Sequence, residues 1–258
     1  MRNPNRETTF RFRQFSVENR RSAMKVGTDG VLLGAWAEFP PSSPAAACLG
    51  ILDIGAGTGL VSLMLAQRFP SAAITAIEID PESARECLEN FRHSPWSARL
   101  SLLHGNFIEE PLTGGYGLIV SNPPFFNNGA KAPDHARHTA RHEDSLPLEK
   151  LIGKSAALLA PGRGSLALVL PAERGEEAEF AAEVARLRLW RKVSLSTVPG
   201  KPPRRVLMQF VNNGMTETAS GLLADADLPE ISAECLSATS GQRSPWHRNL
   251  VKDFYLNP

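Results

Sequence analysis

Hydrophobic positions along this chain change their spacing at regular intervals. Ile51 to Ile54 is an apolar run of strand length. Leu60 to Phe69 then repeats its apolar residues at helical spacing and stops at Pro70. Ala73 to Ile79 reads as a second strand. Pro81 to Phe91 reads as a helix with proline in its first turn and Asp80 placed to cap it. Leu100 to His104 and Leu118 to Ser121 are further strands. Leu146 to Leu159 is a helix ended by "APGRG", Ser165 to Leu170 a strand and Glu176 to Leu187 a helix. Two β-rich runs follow, Trp190 to Val198 and Arg205 to Val211, joined by "PGKPPR". With no helix between them, these two are expected to pair antiparallel. The pattern predicts an α/β fold, a seven-stranded and mostly parallel sheet with helices on both faces and a C-terminal antiparallel hairpin. Residues 212–245 are turn-rich and predict no element.

The start of the chain follows another pattern. Phe10 and Phe12 alternate with Arg11 and Arg13, a strand with one apolar face. Thr28 or Asp29 is placed to cap a helix through Val31, Leu32, Ala35 and Trp36. "PPSSPAA" then breaks the pattern. A short N-terminal extension, residues 1–40, is therefore expected before a main domain over residues 47–258.

Composition adds limits. Apolar residues make up 42% and charged residues 21%, which suits a globular chain and argues against disorder. The net charge is +1, so total charge names no partner. Its distribution is more informative. Residues 1–29 carry seven Lys/Arg against three acids, and Val184 to Arg205 carry seven with no acid. Such runs suit an anionic partner, and a solvated rim is the plain alternative. Cys48, Cys87 and Cys235 are scattered, with no zinc spacing, as expected of free thiols in a reducing cytosol. The polar, Arg-rich N-terminus has no signal-peptide core, and no run approaches the length of a membrane span. A cytoplasmic protein bound to neither membrane nor metal is expected.

Chemistry enters at the strand ends. "LDIGAGTGL" puts Gly55, Gly57 and Gly59 on the first strand-to-helix turn, where missing Cβ atoms let a ligand approach the backbone. Such a turn can also serve a dinucleotide or a close strand–helix packing, but the spacing is G-x-G-x-G rather than the G-x-G-x-x-G of dinucleotide enzymes. Asp53 just before it would repel a pyrophosphate but suits a cationic or hydroxyl-bearing ligand, which favours S-adenosylmethionine over NAD. Glu78, with Ile79 beside it, ends the second strand where an acid accepts hydrogen bonds from ribose hydroxyls. In "HGNF", Asn106 is placed to bond an adenine edge and Phe107 to cover the ring, although alone this tetrapeptide is an ordinary turn.

"SNPPFF" ends the fourth strand. The Asn122 side-chain oxygen and the carbonyl after Pro123 are two fixed acceptors, suited to the two hydrogens of a planar NH₂ group. Holding both in bent geometry favours a pyramidal nitrogen whose lone pair can attack a methyl sulfonium. Pro123 and Pro124 make the acceptors rigid, the preorganisation such a step requires. Phe125 offers a face on which a base can stack.

With these motifs in place, the chain resembles the class I S-adenosylmethionine-dependent methyltransferases, Rossmann-like enzymes, and within them the amino-methylating group marked by N-P-P-[YF]. "FRFRQF", "AMKVGTDGVLLGAWA", "LDIGAGTGL", "SPWSARL", "SNPPFF" and "DFYL" look like the family that methylates N6 of adenine 37, next to the anticodon, in a valine tRNA. The resemblance spans nearly the whole chain. It implies that the N-terminal segment closes over the cofactor, bringing in Lys25, Thr28 and Asp29. Phe125 replaces the commoner tyrosine, and Asn106 stands where an acid is usual.

The remaining features concern the substrate. Arg137 and Arg141, among His135, His138 and His142, read as a loop near incoming RNA or equally as a plain solvated segment, and Lys201, Arg204 and Arg205 as phosphate contacts, with a solvated turn as the alternative. A tRNA anticodon loop is the expected partner of a monomeric enzyme. Two other readings stay open: a protein glutamine methyltransferase acting on a carboxamide, and a cofactor-binding RNA scaffold without catalysis.

Overall fold

The computed structural model describes residues 9–22, 26–40, 50–124, 146–212, 228–239 and 241–256. Its strands are β1 (Thr9–Arg11), β2 (Ser16–Glu18), β3 (Ile51–Ile54), β4 (Ile74–Glu78), β5 (Leu100–His104), β6 (Leu118–Ser121), β7 (Ser165–Pro171), β8 (Leu187–Ser196), β9 (Arg205–Asn212) and β10 (Glu230–Cys235). Its α-helices are α1 (Thr28–Trp36), α2 (Leu60–Arg68), α3 (Pro81–Arg92), α4 (Leu148–Leu158), α5 (Gly175–Val184) and α6 (Pro245–Val251).

The main sheet runs β10-β8-β9-β7-β6-β3-β4-β5. Strands β7, β6, β3, β4 and β5 are mutually parallel, and β9 lies antiparallel between β7 and β8. The seven strands expected from the sequence are all present. An eighth, β10, adds parallel to β8 at the sheet edge, within the stretch for which no element was predicted. Its first four residues are exposed, so it lacks the apolar alternation that marks a strand in sequence.

Central strands read as continuous apolar runs because both of their faces are covered. Along β7, Leu166, Leu168 and Leu170 face α4 and α5, while Ala167 and Val169 face the layer that holds α1 and α2. Two expectations at helix ends need correction. Neither Thr28 nor Asp29 caps α1; extended Gly27 is its N-cap, without a side-chain hydrogen bond. Helix α5 ends at Val184 rather than Leu187, because Arg186 adopts a left-handed φ of 59° that halts the helix and starts β8 early. Asp80 caps α3 as expected, accepting from the Ser83 amide at 2.7 Å.

The N-terminal residues form a β1–β2 hairpin. Phe12 stacks on Phe15 at 4.5 Å and on Tyr255 at 5.8 Å between ring centroids. The Arg13 amide donates to the Phe254 carbonyl, so the hairpin holds the "DFYL" segment near the far end of the chain.

Candidate active site

The site is assembled by strand register. Ile54 stands opposite Ile77 on one side and Ser121 on the other, and Ile77 stands opposite Leu103. The residues that follow, Gly55, Glu78, Asn122 and His104, therefore line up along one edge of the sheet. Neighbouring strands lie ~4.8 Å apart. The chain runs from β3 outward to β4 and β5, then returns to the other side of β3 as β6. Gly55 and Asn122 thus flank the topological switch point, where open α/β sheets bind ligands.

At the glycine turn, Gly55, Gly57 and Gly59 have φ of 71°, 56° and 80°. A Cβ on Gly55 would meet nothing within 4 Å, and one on Gly57 only Ser22 Oγ at 3.9 Å. These two leave an open cradle above the turn. Gly59 serves packing, since a Cβ there would come within 2.6 Å of Phe91 and 2.8 Å of Cys87. Glu78 is buried at the cradle's edge. Its Oε2 accepts from the Gly57 amide at 2.7 Å and its Oε1 from the Asp80 amide at 2.9 Å. Each oxygen keeps a second lone pair for a hydroxyl. Ile79, 45% exposed, sets an apolar surface beside it. An open turn, a fixed carboxylate and an adjacent apolar side chain fit the ribose and base of S-adenosylmethionine.

Asp53 stands two residues before Gly55, near the end of β3. It is buried, and its Oδ2 accepts from the Ser62 amide at 3.0 Å and the Ser62 hydroxyl at 2.7 Å, pinning the first turn of α2 under the glycine turn. Burial pushes its carboxyl up to about 6, opposed by the Ser62 hydrogen bonds and reinforced by the charge of Glu78. Oδ2 is thereby committed to holding the start of α2 beneath the turn.

Past β5, the Asn106 side-chain oxygen accepts from the Ile108 amide at 3.0 Å and shapes the loop. Phe107 does not cover a ring from above; it is buried in the core under the loop. Lys154 of α4 lies over its ring at 5.1 Å and donates to the carbonyls of Ile108 and Glu110 at 3.0 and 2.6 Å. Lys154 had no signal in the sequence. Glu86 and Asn90 did: they are polar residues on the buried stripe of α3, with Ser83 and Cys87, and that stripe faces the N-terminal segment and the glycine turn.

Next to the cradle, the Ser121 hydroxyl donates to the Ile54 carbonyl at 2.8 Å. This bond ties the end of β6 to the end of β3, so that Asn122 follows beside the glycine turn. Asn122 is half-buried, Pro123 buried and Pro124 partly exposed. Phe125, Lys25, Arg137, Arg141 and the three histidines between 135 and 142 lie outside the described residues.

The basic run from Val184 to Arg205 is not one patch. Arg191 lies over Trp36 at 4.2 Å, its side chain only 12% exposed, and bonds the buried Gln209 and Glu38. Lys192 pairs with Glu179 at 2.7 Å. Arg205, expected on phosphate, pairs with Asp29, expected on the cofactor. Thr28, Lys201 and Arg204 are exposed.

The profile of the methyltransferase small domain matches residues 44–193. A tRNA1(Val) (adenine(37)-N6)-methyltransferase from Porphyromonas gingivalis is 46% identical over 207 residues, covering 78% of this chain and 80% of that protein. One from Bacteroides thetaiotaomicron is 39% identical over 249 residues, covering 96% and 97%. Among solved structures, a predicted O-methyltransferase from Agrobacterium tumefaciens superposes with a TM-score of 0.61 at 19% identity, covering 86% of this chain and 95% of that one. At that identity the likeness concerns the fold. No helix among the described residues is long and apolar enough to cross a membrane.

Proposed function

The chain belongs to the methyltransferase small domain family, among the tRNA1(Val) (adenine(37)-N6)-methyltransferases, and from this we propose that it methylates N6 of adenine 37 in a valine tRNA. The observation that carries the reading is the placement of Asn122. It follows Ser121, which is registered against and bonded to Ile54, so an Asn-Pro-Pro clamp stands beside an open glycine cradle.

S-adenosylmethionine, when bound, supplies an electrophilic methyl group on a cationic sulfur. The residues of this chain do the rest. Gly55 and Gly57 would receive the ligand at the backbone, and Glu78 would accept from its ribose hydroxyls. The Asn106–Ile108 loop borders its base, with Phe107 and Lys154 fixing that loop from below. Asn122 Oδ1 and the Pro123 carbonyl accept the two hydrogens of the adenine amine and favour a nitrogen with a free lone pair. Pro124 stiffens the clamp, and Phe125 stacks on the base. No general base is required, since the bound group would leave as a neutral thioether and the amine proton would pass to water, and the chemistry calls for no metal.

A base in a loop is extruded at less cost than one in a duplex. Arg137, Arg141, Lys201 and Arg204 contact phosphates. Residues 1–40, with Lys25, Thr28 and Asp29, cover the cofactor beside a catalytic domain over residues 47–258. The enzyme acts as a monomer in the cytosol, where tRNA is processed.

The test is methyl transfer from labelled S-adenosylmethionine to valine tRNA transcripts carrying A or G at position 37, followed by nucleoside analysis. N6-methyladenosine in the A37 transcript alone supports the reading. Label in neither transcript, or in added protein instead, refutes it.

A further inference from the structure

The buried face of α3 carries two polar side chains that a helix packed only on apolar neighbours would not need. Glu86 is 2% exposed. Its Oε1 accepts from the Arg20 amide at 2.5 Å and the Arg21 amide at 2.9 Å, and its Oε2 from the Ser22 amide at 2.9 Å. One carboxylate thus gathers three successive backbone N–H groups. Asn90, also buried, accepts from the Glu18 amide at 2.9 Å and donates to the Glu18 carbonyl at 3.0 Å. It donates as well to the carbonyl of Thr58 at 2.9 Å, inside the glycine turn. Ser22 Oγ lies 3.2 Å from Ser83 Oγ and 3.9 Å from the point where a Gly57 Cβ would stand. Residues 18–22 are therefore strapped along α3 and held against the turn that forms the cradle.

We propose that Glu86 and Asn90 are positioning residues for S-adenosylmethionine, which fasten residues 18–22 as one wall of its site and fix the Thr58 end of the glycine turn. The inference rests on the cofactor reading given above. Its physical basis is that a buried carboxylate accepting three amides is satisfied only while the strap is seated. Releasing the strap would leave Glu86 uncompensated and the cradle open on that side. Neither residue is placed to touch the target adenine, so their contribution belongs to cofactor binding and not to methyl transfer.

Glu86→Gln keeps the shape but replaces one acceptor oxygen by a donor that opposes an amide N–H. Calorimetry of S-adenosylmethionine binding to the full-length protein is expected to show affinity weakened about tenfold or more, the equivalent of one charge-assisted hydrogen bond. KM for the cofactor rises in parallel while kcat at saturation stays within about twofold, the sign of lost uniform binding. Trypsin should cut after Arg20 or Arg21 faster than in wild type, and Glu86→Asp, which keeps the charge, should recover part of the affinity. Arg21→Pro removes one of the three amide donors from an exposed position without touching the core, and should also weaken binding. Wild-type protein that binds no S-adenosylmethionine would overturn the cofactor reading and this inference with it. Wild-type binding with unchanged affinity in both Glu86→Gln and Arg21→Pro, even at a lowered melting temperature, would overturn the inference alone.

Discussion

Asp29 and Arg205, 176 positions apart in sequence, form an ion pair with Oδ2 and Nε at 2.7 Å. It joins the first turn of α1 to the first residue of β9, which pairs with Pro171 at the end of β7. The pair thus stands at the same sheet edge as Asn122 and bridges α1 to the last hairpin. An arginine engaged in this way holds protein to protein, which separates it from its neighbours Lys201 and Arg204.

That separation is measurable. In tRNA titrations at several salt concentrations, Lys201→Ala and Arg204→Ala should each reduce the log–log slope by roughly 0.7–0.9. Arg205→Ala should leave the slope unchanged. Its cost should appear in stability, at most about 1 kcal/mol for a pair that is partly solvated. Equal slope losses at all three positions would mean that Arg205 leaves Asp29 for phosphate when RNA binds.

Asn122→Ala removes an acceptor from the target amine, which takes no part in the binary complex. Turnover of tRNA should fall by about 10²–10³, or roughly 2.7–4 kcal/mol, as for loss of a transition-state hydrogen bond. Cofactor affinity by calorimetry should hold. Near-wild-type turnover would remove Asn122 from the mechanism.

Glu78→Ala should act on the other half of the site. It removes the acceptor for the Gly57 amide together with the proposed ribose contacts. Cofactor affinity should fall by roughly 1.5–3 kcal/mol for each charge-assisted bond lost. Unchanged affinity would show that the ribose lies elsewhere.

Asp53 gives a dependence on pH. Its carboxyl stands at about 6 in the folded protein against an ordinary value of 3.8. Between these values the native state holds a proton that the unfolded chain has released, so the Asp53 contribution to stability falls as pH rises through that window. Above it the ionised form is buried at a constant cost of roughly 3 kcal/mol for a shift of about two units. Asp53→Asn keeps an acceptor for Ser62 without that charge. It should melt higher than wild type at pH 7.5, with the gap closing as pH falls towards 4. A gap independent of pH would show that Asp53 is not the titrating group.

Parts of the site were legible because they are local. Three glycines, an acid after the second strand and Asn-Pro-Pro after the fourth each lie at a strand end, and strand ends can be read from hydrophobic spacing. The roles of Asp53 and Phe107 were not legible. Both are set by what packs against a strand end from elsewhere in the chain: Ser62 of α2 in one case, the core beneath Lys154 in the other.

The sequence by itself determined the order of the seven central strands and the helices between them, the glycine turn and the Asn-Pro-Pro that ends β6, because each depends on backbone preference and on side-chain period within about ten residues. Tertiary structure alone decided who partners whom across the chain. Glu86 reaches the amide of Arg20 across 66 positions and Arg205 reaches Asp29 across 176. Strand β10 exists because β8 offers it a ladder, not because Glu230–Cys235 has a strand pattern of its own. A charge in sequence has no partner until the fold supplies one. The basic run that read as a single surface was divided accordingly, with Arg191, Lys192 and Arg205 turned to Glu38, Glu179 and Asp29.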